Sequence, residues 1–411
     1  MFKLTEFINQ NVIMRPESMF LGDIKQNDEK LHEAIEGKSV LVIGGAGSIG
    51  SSFIKAILPY KPRTLVIADI NENALTELTR DLRSTPDQFV PDDYLPYPMD
   101  YASPVFARMF RSRNGFDIVA NFSAHKHVRS EKDIYSVEAL LSNNVLHAAG
   151  LLDLLSEYPP QAYFCVSTDK AANPVNIMGA SKRIMEDLIF SYSDRFPVKT
   201  ARFANVAFSN GSLPAGFLER ISRCQPLSAP SDVKRYFVSP EESGQICMLS
   251  CMLGDNRNIF FPRLEEAQMM TFDEIARRLL KEYGYDVLEC SSDDEAIRLA
   301  QDIRSLSGGY SGNASRPKYP VHFSASDTSG EKAYEEFYTD TETVDLARFN
   351  SLGVITGKLI PDRSAIRDLI RDLNALFTLT TTTKEDIVHT IKSYLPSFEH
   401  IETGRSLDSK M

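Results

Sequence analysis

Tryptophan is absent from this sequence of 411 residues, and cysteine is scarce. The five cysteines form no Cys-x-x-Cys pair, and an odd number is typical of a reducing compartment rather than of a disulfide framework. Cys247 and Cys251 stand four apart in a predicted helix, so they share one face, where we expect core residues. Because His125 and His127 flank Lys126 and lack a nearby carboxylate cluster, we expect no metal site.

Long apolar runs and clusters of positive charge are also missing. No stretch reaches the roughly 18 apolar residues that a membrane span requires, and no basic segment precedes an apolar one at the N-terminus. The net charge of −11, with Lys and Arg nowhere concentrated, argues against a nucleic-acid partner. The proportions of 43% hydrophobic and 25% charged residues exclude a disordered chain. We therefore expect a folded cytoplasmic protein without a membrane span.

Apolar strand-length runs alternate with helical patterns from residue 38 to about residue 206, for example in "KSVLVIGG", "RTLVIAD" and "QAYFCVST". This alternation is typical of an α/β fold with a doubly wound, Rossmann-like parallel sheet covered by helices on both faces. We predict an N-terminal extension at 1–37, the Rossmann domain at 38–206, to which later segments return, and a smaller mixed C-terminal lobe at 207–378. That lobe includes a polar insertion at 291–330, and a tail helix lies within 384–411.

The stretch "IGGAGSIG" places Gly44, Gly47 and Gly50 between a buried strand and a helix. Such glycines permit a tight turn and a close approach of backbone N–H groups to a pyrophosphate. Ser48 and Ile49, which open the helix, belong to the same predicted cofactor site.

Asp69 ends the second predicted strand, 19 residues after Gly50. A carboxylate there accepts hydrogen bonds from the adenosine ribose hydroxyls and repels a 2′-phosphate. Since no Arg follows in "DINENAL", we predict NAD rather than NADP as the cofactor. Asp100 ends the third predicted strand and is a candidate for the adenine amino group, although a simple turn residue explains it nearly as well.

The spacing G-x-x-G-x-x-G together with "STDK…MGASK" resembles the extended short-chain dehydrogenase/reductase family. Within it, the chain is similar to the UDP-N-acetylglucosamine 4,6-dehydratases of surface glycan biosynthesis. The similarity extends over about residues 16–350 and rests on "NFSAHKHV", "STDKAANPVNIMGASKR", "RFANV", "KRYFVSPEES" and "GEKAYEEF". The chain departs from the family pattern at residues 291–330 and at Ile43, and it lacks the transmembrane part of the large members. The resemblance implies a nucleotide-diphosphate sugar as substrate, with the lobe at 207–378 as the substrate-binding lobe, and a homo-oligomer.

The resemblance also implies roles for individual residues. Thr168, Asp169 and Lys170 follow a strand at its carboxyl end, where ligands bind in open parallel sheets. The family pattern makes Asp169 the acid and Lys170 the base, with Lys182 on the nicotinamide ribose. It further implies that Ser123 lies at the cofactor, that Lys126 lies close to the cofactor or substrate, and that Asn205 and Arg235 contact the sugar diphosphate, unless these last two are structural.

Met178 stands where related enzymes place a catalytic tyrosine. A thioether has no proton to exchange, but methionine at this position resembles the retaining branch of these dehydratases, in which the threonine of the STDK motif takes the 4-hydroxyl proton. We therefore predict an active enzyme with Thr168 as the first relay. A nucleotide-sugar 4-epimerase, a GDP-linked substrate and a catalytically inactive NAD-binding protein stay open as alternatives.

Overall fold

The computed structural model describes residues 2–127, 131–306, 316–326 and 336–401. The first part contains α1 (Leu4–Phe7), α2 (Leu21–Gln26), α3 (Asp28–Ile35), β1 (Ser39–Ile43), α4 (Ser48–Ile57), β2 (Thr64–Asp69), α5 (Glu72–Ser84), β3 (Asp93–Pro98), α6 (Pro104–Ser112) and β4 (Ile118–Asn121). It continues with α7 (Ile134–Leu141), α8 (His147–Leu155), β5 (Ala162–Thr168), α9 (Ile177–Phe190), β6 (Val198–Phe203) and β7 (Asn205–Val206).

The later elements are α10 (Leu213–Ser222), β8 (Leu227–Pro230), β9 (Lys234–Arg235), β10 (Phe237–Val238), α11 (Pro240–Leu253), β11 (Ile259–Pro262), β12 (Met270–Thr271) and α12 (Phe272–Glu282). They are followed by β13 (Asp286–Glu289), α13 (Asp293–Leu306), β14 (Lys318–Ser324), β15 (Thr343–Asp345), β16 (Leu352–Thr356), α14 (Arg363–Phe377) and α15 (Lys384–Tyr394).

The main sheet confirms the predicted doubly wound α/β fold. Among the described residues its order is β15-β16-β11-β6-β5-β4-β1-β2-β3. The strands from β3 to β11 run parallel, and β16 pairs antiparallel with both β11 and β15. The winding direction reverses between β1 and β4, and ligands bind in the crevice beyond the carboxyl ends of strands at such a point.

The central strand β1 is almost entirely apolar because helices cover both faces of the sheet. In β1, Val40, Leu41, Val42 and Ile43 are at most 1% exposed. Helices α4 and α11 pack closely against each other, since a Cβ on Gly244 would collide with the backbone of Ser52. The sheet therefore forms a rigid platform for the loops at its carboxyl edge.

A second, smaller lobe has its own core. A parallel sheet of order β13-β14-β8 lies beside α10 and α12, with Phe217, Leu279 and Tyr319 buried between them. β14 and α13 fall inside the predicted insertion 291–330, of which residues 307–315 and 327–330 lie outside the described residues.

The N-terminal residues pack against both lobes. Phe7 and Ile8 belong to the core of the smaller lobe, whereas Phe20 and Leu31 belong to the core of the main sheet. The segment predicted as an extension is thus an integral part of the packing, and the domain boundaries themselves stay a prediction.

A third apolar cluster joins the C-terminal helices to the main domain. Leu369 and Leu373 of α14 and Ile387 and Ile391 of α15 pack against α7 and α9. A capping box at Thr383 begins α15, which forms part of the predicted tail helix. Residues 402–411 of that prediction lie outside the described residues. Over the part of the chain described above, none of the helices has the length and apolarity needed to cross a membrane.

Candidate active site

The three glycines between β1 and α4 differ in what surrounds them. Gly44 has φ +70°, and a Cβ there would lie 2.7 Å from the backbone N of Ser123. A Cβ on Gly50 would collide with the carbonyl oxygen of Gly44, whereas on Gly47 it would meet only that oxygen, at 3.4 Å. Gly44 and Gly50 therefore shape the turn, and Gly47 leaves the N-terminus of α4 open, as an anion such as a pyrophosphate requires.

Ser48 and Ile49 lie beside the open N-terminus of α4. Ser48 is the first residue of α4, and half-buried Ile49 packs against the main core. The Oγ of Ser48 accepts a hydrogen bond of 2.9 Å from the backbone N of Asn210, which belongs to the loop after β7. The arrangement fits a dinucleotide, and binding by these residues stays a prediction.

Asp69 lies beside the glycine-rich turn. Its Oδ2 accepts a hydrogen bond from the backbone N of Ala46 at 3.0 Å, and its Oδ1 accepts one from Asn71 at 2.9 Å. The carboxylate is therefore held at the edge of the predicted adenosine site. Asp100 lies two residues beyond β3, is exposed, and accepts a hydrogen bond from the backbone N of Ala102 at 2.8 Å. A side chain that accepts a hydrogen bond from the backbone two residues later is typical of a turn, so this contact agrees with the interpretation of Asp100 as a turn residue.

Ser123 follows β4, and its hydroxyl donates to Asn143 Oδ1 at 3.2 Å. Asn144, the neighbour of Asn143 in a π-helical turn at Ser142–Leu146, bonds both backbone groups of His125, at 2.9 and 3.0 Å. It thereby anchors the loop that carries Lys126, whose side chain is exposed. Sequence reasoning missed Asn144, although two adjacent asparagines inside a helix are an unfavourable choice that signals a function.

Thr168, Asp169 and Lys170 form one hydrogen-bonded group where β5 ends. Asp169 Oδ1 accepts hydrogen bonds from Thr168 Oγ1 at 2.7 Å, from the Lys170 backbone N at 2.9 Å and from Lys170 Nζ at 3.1 Å. Asp169 is 4% exposed, and the Lys170 side chain is 20% exposed. A buried carboxyl group, a hydroxyl group and an amine are thus joined at the carboxyl edge of the sheet.

Lys182, on α9, bonds to β5 two residues before Thr168. It is 4% exposed, and its Nζ donates to the carbonyl oxygen of Val166 at 3.1 Å. Burial lowers the pKa of Lys182, while Cys165 and Glu186 act in the opposite direction. The predicted contact between Lys182 and a nicotinamide ribose stays a prediction.

Met178 is 2% exposed and belongs to the apolar cluster formed by α7, α9, α14 and α15. The backbone N–H groups of Ile177 and Met178 donate to the carboxylate of Glu131 at 3.1 and 2.8 Å. A Cβ on Gly179 would lie 2.7 Å from the carbonyl oxygen of Lys170. Glu131 and Gly179, which sequence reasoning missed, therefore fix the start of α9 against the Thr168–Lys170 turn.

Two predicted substrate contacts lie in the short strands β7 and β9. Asn205 of β7 is half-buried, and its backbone N donates to the Tyr236 carbonyl oxygen at 3.0 Å. Arg235 of β9 is 4% exposed and donates to the Lys234 carbonyl oxygen at 2.9 Å. Their contact with a sugar diphosphate stays a prediction.

Comparison with known proteins gives a family match. The family described as "Polysaccharide biosynthesis protein" matches residues 40–356. An uncharacterized membrane protein of Methanocaldococcus jannaschii, MJ1061, is 27% identical over 325 residues, covering 77% of this chain and 85% of that protein. A UDP-N-acetylglucosamine 4,6-dehydratase (inverting) of Campylobacter jejuni is 26% identical, covering 56% of this chain and 67% of that protein. The match spans less than half, 44%, of the probable polysaccharide biosynthesis protein EpsC of Bacillus subtilis, at 26% identity over 66% of this chain.

Solved structures share the fold. Pen from Bacillus thuringiensis superposes with a TM-score of 0.61 at 18% identity, covering 83% of this chain and 98% of that chain. The dTDP-glucose 4,6-dehydratase DesIV from Streptomyces venezuelae, solved with NAD and TYD bound, gives a TM-score of 0.53 at 18% identity, covering 73% and 88%.

Proposed function

Because this chain belongs to the polysaccharide biosynthesis protein family, we propose that it is an NAD-dependent nucleotide-sugar 4,6-dehydratase. The substrate proposed is UDP-N-acetylglucosamine, and the product is its 4-keto-6-deoxy derivative, for surface glycan biosynthesis. One observation carries the proposal, namely the hydrogen-bonded group of Thr168, Asp169 and Lys170 at the carboxyl end of β5. The relatives named as dehydratases support the same reaction class.

Elimination of water across C5 and C6 of a sugar is difficult because the C5 proton is not acidic. Oxidation of C4 to a ketone makes this proton acidic. The nicotinamide of a dinucleotide whose pyrophosphate lies at the glycine-rich turn would accept a hydride from C4 and return it to C6. The protein itself must take the 4-hydroxyl proton, remove the C5 proton and protonate the departing 6-hydroxyl group.

Thr168 and Asp169 link the first and last of these steps. The 4-hydroxyl proton passes to Thr168 Oγ1 as the proton of that hydroxyl moves to Asp169 Oδ1, 2.7 Å away. Asp169 then holds the proton that the 6-hydroxyl group needs to leave as water. Oxidation at C4 therefore prepares the acid for the elimination.

Lys170 acts at C5 in its uncharged form. The ammonium group lies 3.1 Å from Asp169 Oδ1, which favours the charged form. A sugar that covers the partly exposed Lys170 side chain would exclude water and so disfavour the charged form of this amine. The Lys170 ammonium group must therefore release one proton to solvent as the sugar binds, before C4 is oxidised, while Asp169 stays ionised. Lys170 then takes the C5 proton and returns it to C5 from the same face, which retains the configuration at this carbon. Water is therefore the only molecule lost.

Two other functions make different demands on this site. A 4-epimerase also oxidises C4 but needs no acid for O6, so the buried Asp169 beside Thr168 favours the dehydratase. A catalytically inactive NAD-binding protein would need no aligned Thr168–Asp169–Lys170 group. A GDP-linked sugar instead of a UDP-linked one would leave this chemistry unchanged.

Incubation of the purified protein with NAD and UDP-N-acetylglucosamine tests the proposal. We expect a 4-keto product that absorbs in alkali, and we expect Lys170→Met to abolish it. Formation of a 4-epimer would favour the epimerase, and bound NAD without turnover of UDP- or GDP-linked sugars would favour the inactive protein. Turnover of only a GDP-linked sugar would correct the substrate and keep the reaction.

A further inference from the structure

A buried ionic network lies directly behind the end of β5. Ser167 precedes Thr168 on this strand, and its side chain points to the opposite face because side chains alternate along a strand. Ser167 is 4% exposed, and its Oγ donates to Glu186 Oε1 at 2.7 Å. The strand end therefore presents Thr168 toward Asp169 on one face and Ser167 toward Glu186 on the other.

Glu186 is held from several sides. It is completely buried, and its two carboxylate oxygens accept hydrogen bonds from Arg202 Nε at 2.9 Å and Nη2 at 2.8 Å. Arg202, on β6, is also completely buried and pairs with Glu342 at 2.7 Å. Lys358 Nζ lies 3.4 Å from Glu186 Oε2. These contacts leave the Glu186 carboxylate a single orientation, with one oxygen directed at Ser167.

The charge state of Glu186 suits this acceptor role. Burial alone raises its pKa, but the charges of Arg202 and Lys358, with the Arg202 hydrogen bonds, lower it well below the ordinary value. Glu186 is therefore ionised at neutral pH and accepts the Ser167 proton in a charge-assisted hydrogen bond, which is stronger than a bond between neutral groups.

Helix α9 forms hydrogen bonds with two consecutive residues of β5. Lys182 Nζ donates to the Val166 carbonyl oxygen at 3.1 Å, and Glu186, one turn later on α9, accepts from Ser167 at 2.7 Å. The residue after these two is Thr168, the first relay of the proposed reaction. Movement of the strand end relative to α9 would thus displace Thr168 and break both bonds.

We propose that Glu186 is a positioning residue that acts through Ser167 to hold Thr168 and Asp169 in place for the nucleotide sugar. This inference rests on the dehydratase function proposed above. Replacing a buried ion pair by apolar side chains is often neutral for stability, so stability alone does not require this network. A displacement of about 1 Å at reacting groups, in contrast, costs roughly 100-fold in rate.

Ser167→Ala and Glu186→Gln test the positioning role. In Glu186→Gln, Arg202 keeps Glu342 as a charged partner, so we expect a folded protein. Ser39→Ala is a matched control, because Ser39 Oγ donates to Asp117 Oδ2 at 2.7 Å at the start of β1, the opposite end of the sheet from the Thr168 turn. Ser167→Ala and Ser39→Ala each remove a hydrogen bond from a serine to a carboxylate, and Glu186→Gln weakens the one from Ser167. Ser39→Ala also removes the bond of 3.0 Å that Ser39 Oγ accepts from the Asp117 backbone N.

We expect Ser167→Ala and Glu186→Gln to lower kcat by about tenfold to 100-fold with KM within about twofold. Ser39→Ala should lower Tm to a similar degree and leave kcat unchanged. The double variant should be no slower than the slower of the two single variants, because both changes act on the same contact between Ser167 and Glu186. Ser167→Thr, which keeps the hydroxyl group, should restore most of kcat. A Ser167→Ala enzyme with native kcat and a lowered Tm would reduce the network to a structural role.

Hydrogen exchange separates this inference from the proposed reaction. In Ser167→Ala, amide exchange should accelerate in the peptide that contains residues 167–171 and stay native in this peptide of Ser39→Ala. If the native protein is inactive but this difference in exchange between the two variants is seen, the proposed dehydratase function is overturned and the positioning contact is kept. Unchanged exchange in Ser167→Ala would overturn the positioning role whatever the activity.

Discussion

Thr168 Oγ1 donates a hydrogen bond to Asp169 Oδ1 over 2.7 Å. A threonine hydroxyl group that takes a substrate proton must pass its own proton on, and this carboxylate is placed to receive it. In the proposed reaction, Asp169 therefore serves in two steps, as the final acceptor of the 4-hydroxyl proton and as the acid for the 6-hydroxyl group.

Asp169→Asn and Lys170→Met separate these steps. Asn cannot accept the proton from Thr168, so Asp169→Asn should lose both C4 oxidation and deuterium exchange at C5, each by about 100-fold or more. Lys170→Met should still oxidise C4 but lose the exchange, because only the C5 base is missing. Single-turnover absorbance of the reduced nicotinamide and mass spectrometry in deuterated water measure the two steps. Near-native exchange at C5 in Asp169→Asn would contradict the relay and leave Asp169 as the acid alone.

Gly179→Ala should damage the site through the backbone. A Cβ at this position would lie 2.7 Å from the Lys170 carbonyl oxygen, so α9 or the Thr168–Lys170 turn must move. We expect kcat to fall by about tenfold or more and Tm to fall. Gly150→Ala on α8 is the matched control, since this helical glycine is exposed and has open space around it. It should raise the free energy of unfolding by about 0.4–1 kcal/mol without affecting kcat. Native activity in Gly179→Ala would show that the close packing is dispensable.

Local motifs in the sequence were sufficient to predict the fold and to select residues that the structure brings together. The strand, glycine-rich turn and helix around Gly44 are contiguous, and so are Thr168, Asp169 and Lys170. The spacing of these residues in the sequence therefore determines their relative positions in the structure. The alternation of strand and helix likewise determined the parallel sheet, because apolar strands buried on both faces require helices on both sides.

Contacts between distant segments escaped the same reasoning. Glu186 and Arg202 looked like ordinary charged residues of a helix and a strand, and only the pairing of β5 with β6 and the packing of α9 bring them together. Phe7 and Ile8 precede the first strand by about thirty residues yet complete the core of the smaller lobe. No periodicity in the sequence encodes such contacts, because periodicity shows which face is apolar and not which element covers it.

Glu186 should also control stability in acid. Its pKa lies below the ordinary value of 4.5, so its contribution is complete above that value and is lost as the pH falls toward its pKa in the folded protein. The native free energy of unfolding should therefore fall as the pH decreases below about 4.5, and less steeply in Glu186→Gln. Urea unfolding across this range measures both slopes, with exposed Glu33→Gln as a control that should follow the native protein. Equal slopes in native protein and Glu186→Gln would contradict the assignment.

Met178→Tyr tests whether the site lacks a base. Met178 is 2% exposed among apolar side chains, so a phenol would bury a hydroxyl group at a cost of about 1–3 kcal/mol if it finds no partner. We expect a lower Tm and no gain in kcat, because in the proposed mechanism Thr168 receives the 4-hydroxyl proton. Met178→Leu, which preserves the apolar character and approximate volume, should keep kcat within a few-fold. A large increase of kcat in Met178→Tyr would mean that the native relay is inadequate.

Asp69 should decide between NAD and NADP. Its carboxylate is fixed by the backbone N–H groups of Ala46 and Asn71, so it cannot readily turn away from a 2′-phosphate. We expect NAD to bind at least tenfold more tightly than NADP, which corresponds to about 1.4 kcal/mol. Asp69→Asn should narrow this ratio by removing the repulsion, whereas Asp100→Asn, at an exposed turn, should preserve it. Calorimetric titration with both cofactors measures the ratios, and equal or tighter binding of NADP to the native protein would refute the assignment of Asp69.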